Sequence, residues 1–264
     1  MKKKLVLVLG IVLLIFATLA AEIPAFEVGE KDIEVTLSNT FVSRYIWRGH
    51  DVYSDNDAAY QPSVDISIPE FIFDSDLSLN IWGAFPLHEG HETVTELDYT
   101  LTFARTIADM LDISLGYTYF DYPKANDKSD VQEPWAAITL NKIPSLPLDV
   151  SFTVFAGYDY EVTSSGPEEG WYYSWGFDTE LLLPKVVIFQ DGQSLAVGIT
   201  NWGNDGVAGL KPSSFYATEI GLSTSYAFKS FSVTPSINYT INYEDEINSG
   251  EDEIWTGMDI SYIF

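Results

Sequence analysis

The sequence predicts an all-β fold, a transmembrane antiparallel up-and-down β-barrel of about twelve strands. Two observations predict it: apolar and polar residues alternate over long runs, and long polar loops alternate with short links between those runs. Composition agrees, because 39 acidic residues stand against 13 basic ones, for a net charge of −26, in a chain rich in Tyr, Phe and Trp. This charge excludes a nucleic-acid binder, and the absence of cysteine excludes disulfides and thiolate chemistry.

Residues 1–21 are expected to be a cleaved signal peptide, which leaves residues 22–264 as the barrel. Lys2–Lys4 give a positive start, Leu5–Phe16 form an apolar run, and small residues follow at positions 17–21. A membrane anchor is the alternative, but the apolar run falls short of the roughly 20 residues that span a bilayer. Export is therefore predicted.

The strands are predicted from alternation with a period of two. From Phe231 to Tyr243, every odd position is apolar, aromatic or Pro, and every even position is Ser, Thr or Asn. The same pattern defines strands at 33–48, 59–69, 77–86, 93–105, 111–121, 132–141, 147–161, 171–183, 194–202, 214–228, 231–244 and 254–264.

The length and connection of these runs indicate a membrane barrel. Most reach the roughly 9 to 11 residues of a spanning strand, whereas globular strands usually have about 5 or 6. Long loops follow every odd-numbered run, so the predicted location is the outer membrane of a Gram-negative-type (diderm) bacterium. Phe264 ends the last apolar run and is expected to be recognised by the barrel-assembly machinery. A secreted sandwich shares the same periodicity and is the alternative.

Aromatic residues and prolines in the predicted strands lead to two further expectations. Tyr45 and Trp47 lie on the apolar parity near a strand end and are expected to join an aromatic girdle facing lipid. Pro62 and Pro235 lack the N–H that a sheet ladder uses, and are therefore expected at bulges or strand ends.

The polar parity is expected to face the lumen, where its acids would favour cations and repel anions. Arg44, the basic residue nearest the middle of its strand, is the candidate for a constriction. The alternative is that the carboxylates are merely hydrated, or pair with the two arginines in a plugged lumen. The lumen-facing candidates are Arg44, Arg48, Asp65, Glu96, Asp98, Asp159, Asp178, Glu180, Glu219 and Asp259.

Two segments resemble a known family. Val42–Gly49 (VSRYIWRG) and Tyr60–Asp65 (YQPSVD) resemble the S-x-Y-x-x-R-G and P-x-x-D signature of TorF-type porins, and Glu96–Asp98 and Gly116–Tyr117 continue the likeness. The resemblance implies an outer-membrane barrel and suggests a diffusion pore. It carries over no catalytic or substrate-binding residue. From position alone, Arg48 and Gly49 are expected to shape the mouth of the first loop.

Histidines and acidic loops offer weaker candidates for chemistry. His50, His88 and His91 lie near the first two loops, close to Ser54, so a membrane-embedded hydrolase or a surface metal site is conceivable. The spacing H-E-G-H in a turn differs from the helical zinc motif. We therefore predict no enzyme, no catalytic residues, no metal site and no cofactor.

The acidic loop 244–253 is the other candidate, since its carboxylates are of the type that holds divalent cations, which would bridge to lipopolysaccharide. Outer-membrane lipid and lipopolysaccharide are the expected partners, with no nucleic acid. The sequence thus predicts a passive, cation-preferring diffusion pore for small solutes. The alternatives are a non-conducting structural or surface-interaction barrel and, less favoured, the hydrolase.

Overall fold

The structure is a computed structural model that describes residues 26–28, 31–53, 57–87, 95–123, 130–143, 146, 148–161, 169–184, 193–206, 214–245 and 247–264. The predicted signal peptide lies outside them. No described helix is long and apolar enough to cross a membrane.

The prediction of a closed, twelve-stranded, antiparallel up-and-down barrel is confirmed. The strands are β1 (Phe26–Val28), β2 (Lys31–Val42), β3 (Ile46–Trp47), β4 (His50–Asp51), β5 (Ala59–Ile72), β6 (Ser75–Pro86), β7 (Glu96–Ile107), β8 (Leu111–Asp121), β9 (Val131–Leu140), β10 (Val150–Glu161), β11 (Gly170–Leu182), β12 (Ser194–Asn204), β13 (Ser214–Ser223), β14 (Tyr226–Phe228), β15 (Phe231–Asn242) and β16 (Glu253–Ile263). Each wall strand pairs with its neighbours in the sequence, and β16 pairs with β2 to close the wall. β1 and β14 extend the wall by pairing with β2 and β15, and β3 pairs only with β4.

The outer face of the wall is apolar, as alternation requires of strands whose outward side chains meet lipid. Large apolar side chains on this parity are exposed on every side of the barrel, in a band far too extensive for an ordinary soluble surface. Examples are Leu79, Ile81, Leu101, Leu115, Ile138, Val154, Ile199, Ile237 and Met258. Aromatic pairs such as Tyr158 with Trp171, whose ring centroids are 5.2 Å apart, lie on the same face near the strand ends.

The two ends of the barrel differ. The strand ends joined by residues 73–74, 108–110, 141–149, 183–193 and 224–230 lie at one end, together with Phe264; this end is here called the turn end. The strand ends joined by residues 43–58, 87–95, 122–130, 162–169, 205–213 and 243–252 lie at the other, the loop end. The predicted alternation of connections is therefore present.

Two predicted strands have the wrong bounds. The first ends at Val42 rather than at residue 48, because the chain then leaves the wall. The tenth is divided into β13 and β14 by Thr224 and Ser225. Alternation continues through both places, so a local pattern could not reveal either change.

The two prolines lie inside strands, and not at strand ends. Pro62 pairs with Asn39 of β2, but the ladder from β5 to β6 skips from Tyr60 to Ser63. Pro235 pairs with Met258 of β16 and faces the gap between β13 and β14 on its other side. Each proline thus lies where one neighbouring ladder is interrupted, which removes the need for its missing N–H.

Candidate functional site

In the first connection at the loop end, residues 43–53 fold into the barrel; we call this segment loop 1. The Tyr45 hydroxyl donates to Glu96 Oε2 (2.9 Å), Arg48 donates to Glu133 Oε1 (2.8 Å), and the Gly49 N–H donates to Glu219 Oε1 (2.8 Å). These carboxylates belong to β7, β9 and β13, which lie on different sides of the barrel. Loop 1 therefore crosses the lumen, and all three carboxylates point inward.

The tip of loop 1 is a tight hairpin between β3 and β4. Its two central residues, Arg48 and Gly49, both have positive φ values, 49° and 86°. Two residues with positive φ are typical of a type I′ turn, and Gly is favoured at its second position. For Arg48 the left-handed conformation costs about 1 to 2 kcal/mol, so the contacts of its side chain must offset this strain.

Arg48 is held by aromatic rings and one carboxylate. Its guanidinium carbon lies 4.4 Å from the ring centroid of Trp47, 4.7 Å from Tyr172, 5.2 Å from Phe155 and 5.5 Å from Trp202. The ion pair with Glu133 has an N···O distance of 2.6 Å. Glu133 is only 1% exposed. A charge buried to this degree is tolerated only when it is paired, so the two residues depend on each other.

The last connection at the loop end meets loop 1 from the opposite side. The Asp51 N–H donates to Asn248 Oδ1 (2.8 Å), and Asn248 Nδ2 donates to the Gly49 carbonyl (2.9 Å). Ile247 is buried against Tyr216 and the partly buried Trp47. Loop 1 is thus joined to both the wall and a second loop, and the loop-end half of the lumen has a packed core.

The strand registers show which residues of each strand face the inside of the barrel. Starting from Glu96, Glu133 and Glu219, alternate residues of each paired strand share their side of the wall. On this basis the structure places all eight predicted acids on the inward parity. Near loop 1 lie Glu96, Asp98, Asp159 and Glu219, and further toward the turn end lie Asp65, Asp178, Glu180 and Asp259.

The two predicted arginines enter the lumen from loop 1, not from a strand. Arg44 forms an ion pair with Glu253 at the start of β16. It does not meet Asp65, which accepts a hydrogen bond from Asn80 Nδ2 (2.7 Å). The expectation of Arg44 as a mid-strand constriction is therefore wrong, because the chain leaves the wall at Val42.

The expectation that Tyr45 and Trp47 face lipid is also wrong. Tyr45 is 5% exposed, and Trp47 packs edge-on against Tyr172 and Phe120 inside the lumen. Both are drawn inward with loop 1. Arg48 and Gly49 form the tip of loop 1, between β3 and β4, and their role at the mouth of the loop stays a prediction.

Below loop 1 the lumen widens into a cavity of about 1040 Å³, here called the vestibule. Asp178 and Glu180 are exposed in it, and none of the described residues that line it is basic. Gly198 leaves room for the Asp178 side chain, since a Cβ at that position would lie 2.6 Å from Asp178 Oδ1. The two arginines in the lumen are each paired with a carboxylate at the level of loop 1. The vestibule wall is therefore acidic.

The candidate chemistry of the histidines is only partly visible. Ser54, His88 and His91 lie outside the described residues. His50 packs against the Tyr216 ring with centroids 5.4 Å apart, and its Nε2 makes no hydrogen bond within the described residues. Burial, assisted by the charge of Arg48, lowers the pKa of His50 to about 4. His50 is thus neutral and part of the packing of loop 1.

The acidic loop is ordered by hydrogen bonds of its own. Asp252 accepts from the Tyr239 hydroxyl and from the Asn242 N–H. These bonds lower the pKa of the Asp252 carboxyl. In the described part of the chain, no group of three or more His or acidic side chains is arranged to hold a metal ion. Divalent cations at this loop stay a prediction.

Sequence reasoning did not single out two residues that organise this site, Glu133 and Asn248. Glu133 lies in a predicted strand, where its parity places it in the lumen, so it belonged among the acidic candidates. Asn248 lies in a loop and gives no signal from the sequence.

These features define a class: a closed outer-membrane-type barrel with an acidic lumen and an inserted first loop. No family model and no curated protein matches the sequence. Solved structures do match. They include LpxR from Salmonella typhimurium (TM-score 0.52, 11% identity, 87% of this chain and 100% of that one) and an outer membrane channel from Pseudomonas putida F1 (0.51, 11%, 92% and 98%). A bacterial polysaccharide outer membrane secretin also matches (0.51, 8%, 88% and 98%).

At these identities the likeness shows the fold. The neighbours are outer-membrane β-barrels, among them a channel and, in LpxR, an enzyme. A porin-like barrel agrees with the TorF-type resemblance, but membership of that family stays a prediction.

Proposed function

We propose that this chain is an outer-membrane barrel that acts as a passive, cation-preferring diffusion pore for small solutes, with loop 1 as its narrowest part. The loop end is extracellular and the turn end periplasmic, as in other outer-membrane barrels. The observation that carries the proposal is the acidic vestibule beneath loop 1, in which Asp178 and Glu180 are exposed and unopposed by a lining basic residue.

Charge and shape both support a cation preference. Rings of carboxylates along a pore raise the local concentration of cations and exclude anions. The two arginines do not reverse this balance, because each is paired with a carboxylate. Two small interior residues of neighbouring strands, Gly198 and Gly221, line the vestibule opposite one another in the ladder. Solute would pass between loop 1 and the wall.

Planar lipid bilayers test the proposal directly. The purified full-length barrel is expected to give discrete conductance steps. In a potassium chloride gradient, the sign of the reversal potential is expected to show that potassium permeates more readily than chloride. A reversal potential of the opposite sign would reject the cation preference. Heat-modifiable migration on a detergent gel, with protein from an outer-membrane fraction, checks the folded barrel and its location.

The packed loop-end half favours one alternative, a barrel that loop 1 keeps shut. Tyr172, Tyr216 and Ala217 pack with Trp47 and Ile247 across the lumen. Folded protein that gives no conductance steps, even when loop 1 is destabilised, would support this structural barrel over the pore.

A further inference from the structure

A second, smaller cavity lies between loop 1 and the barrel wall. Its volume is about 240 Å³, just below the range of roughly 300 to 1,000 Å³ that is typical of sites for drug-sized ligands. Tyr45 and Trp47 of loop 1 face Trp82, Trp255 and Asp98 of the wall across it. The cavity therefore combines aromatic surface with one carboxylate and has room for a small molecule.

One oxygen of the Asp98 carboxyl lacks a hydrogen-bond partner. Its Oδ1 atom is closed off from solvent and makes no hydrogen bond within the described residues. The neighbouring inward acid, Glu96, is by contrast bonded to the Tyr45 hydroxyl. Arg44 also lines the cavity, but its charge is taken up by Glu253. A buried carboxyl without a partner favours its neutral form, and it can ionise when a cation enters beside it, so this cavity is complementary to a positive charge.

The rings around the cavity suit a cation of low hydration. Tyr45 and Trp82 stand with centroids 5.5 Å apart and planes tilted by 51°, which makes a corner of two aromatic faces. Trp255 stands on β16, beyond β2 and β5, and its ring is fixed by a hydrogen bond from Nε1 to Thr240 Oγ1 (3.3 Å). Aromatic faces combined in this way are used to recognise quaternary ammonium groups.

The same lumen already holds one cation by these means. The Arg48 guanidinium lies over four aromatic rings and beside one carboxylate, that of Glu133. A divalent metal ion is a poor alternative for the smaller cavity, because Ca²⁺ needs about six to eight oxygen ligands, whereas the lining offers chiefly Asp98 and Gln61.

We propose that the cavity formed by Tyr45, Trp47, Trp82, Trp255 and Asp98 binds a small organic cation with a quaternary or alkylated ammonium group. The proposal deepens the pore function, on which its physiological role rests, by naming the class of solute. When the cation binds, Asp98 releases its proton to solvent and supplies the opposite charge, and the rings supply faces that attract the cation without demanding its full hydration.

Calorimetric titration of the full-length barrel in detergent tests the site. The probes are choline chloride and its uncharged carbon isostere, dimethylbutanol, at constant ionic strength. Choline is expected to bind roughly tenfold more tightly than dimethylbutanol, because only choline gains from the carboxylate and the ring faces. Equal binding of the two compounds would overturn the proposal without any variant being needed.

Two variants and a matched control locate the site. Asp98→Asn keeps the shape of the side chain and is expected to weaken choline binding about tenfold or more while leaving dimethylbutanol unchanged. Trp255→Leu keeps an apolar wall but removes a ring face, and is expected to weaken choline selectively. Glu34→Gln removes an equal charge from an exposed position on β2 and should leave choline binding unchanged. Equal losses in Asp98→Asn and Glu34→Gln would instead indicate general attraction by acidic charge.

Failure of the site and failure of the pore are distinguishable. Choline binding by a barrel that shows no conductance would reject the pore and keep the site. Potassium conductance without choline binding would reject the site and keep the pore. Where both hold, choline is expected to reduce the potassium current in wild-type barrels and to lose this effect in Asp98→Asn.

Discussion

Replacing Arg48 by Met should release loop 1 from the lumen. Met keeps an unbranched apolar side chain among the four rings but removes the charge, which leaves the buried Glu133 carboxylate without its cation. Removing one member of a buried ion pair costs about 3 to 5 kcal/mol, most of it from the charge left behind. That energy corresponds to a change of roughly 10²- to 4 × 10³-fold in the ratio of docked to undocked loop, because about 1.4 kcal/mol equals a factor of ten.

Single-channel recording measures this shift. If loop 1 is the constriction, Arg48→Met barrels should spend more time at a larger conductance than the wild type. Glu133→Gln breaks the same pair and keeps both arginines of loop 1, so trypsin should cut loop 1 at Arg44 or Arg48 in this variant and spare the wild type. In the double variant no charge is left buried, so part of the docking should return.

Arg105→Met is the matched control. Its ion pair with Asp74 has an N···O distance of 3.5 Å and lies exposed near the turn end. Exposed pairs contribute about 0 to 1 kcal/mol, so neither conductance nor trypsin sensitivity should change. The reasoning is refuted if Arg48→Met conducts as the wild type does and loop 1 of Glu133→Gln stays protected from trypsin.

Three further predictions follow from the same loop and vestibule. Gly49→Ala should also undock loop 1, since Gly49 has φ +86° and a Cβ there would lie 2.5 Å from the Ala217 Cβ; trypsin sensitivity measures it. Docking of loop 1 lowers the pKa of His50 from 6.5 to about 4, so the undocked loop takes up a proton more readily. Docking should therefore weaken as the pH falls from about 6.5 to about 4. Conductance measured against pH should show this loss, and His50→Gln should abolish the pH dependence. Asp178→Asn with Glu180→Gln should reduce the cation selectivity measured from reversal potentials, most clearly at low salt, where screening is weak.

The barrel could be predicted from the sequence because its signal is local. Alternation along Phe231–Tyr243 predicts which side chains face lipid, and this prediction does not depend on which strands lie beside that segment. The strand register and the closure of the barrel agree with the two faces that the alternation predicts. The acids at positions 65, 178 and 259 could be assigned to the lumen parity for the same reason.

Loop 1 could not be predicted, because its course is set by distant partners. Residues 43–48 continue the alternation of β2, so nothing local marks the point at which the chain leaves the wall. Its inward fold depends on Glu96, Glu133 and Glu219, which lie far along the sequence on three different strands. The identity of the Arg48 partner is therefore a property of the closed barrel.

The most direct test of the central claim is the access of charged thiol reagents to the vestibule. The chain has no cysteine, so Ser223→Cys, on the inward parity at the edge of the vestibule, would carry the one reactive thiol. From the periplasmic side, a cationic methanethiosulfonate is expected to react about tenfold faster than an anionic one, because acidic walls concentrate cations. Equal rates, or faster reaction of the anionic reagent, would contradict the account of an acidic, cation-preferring lumen.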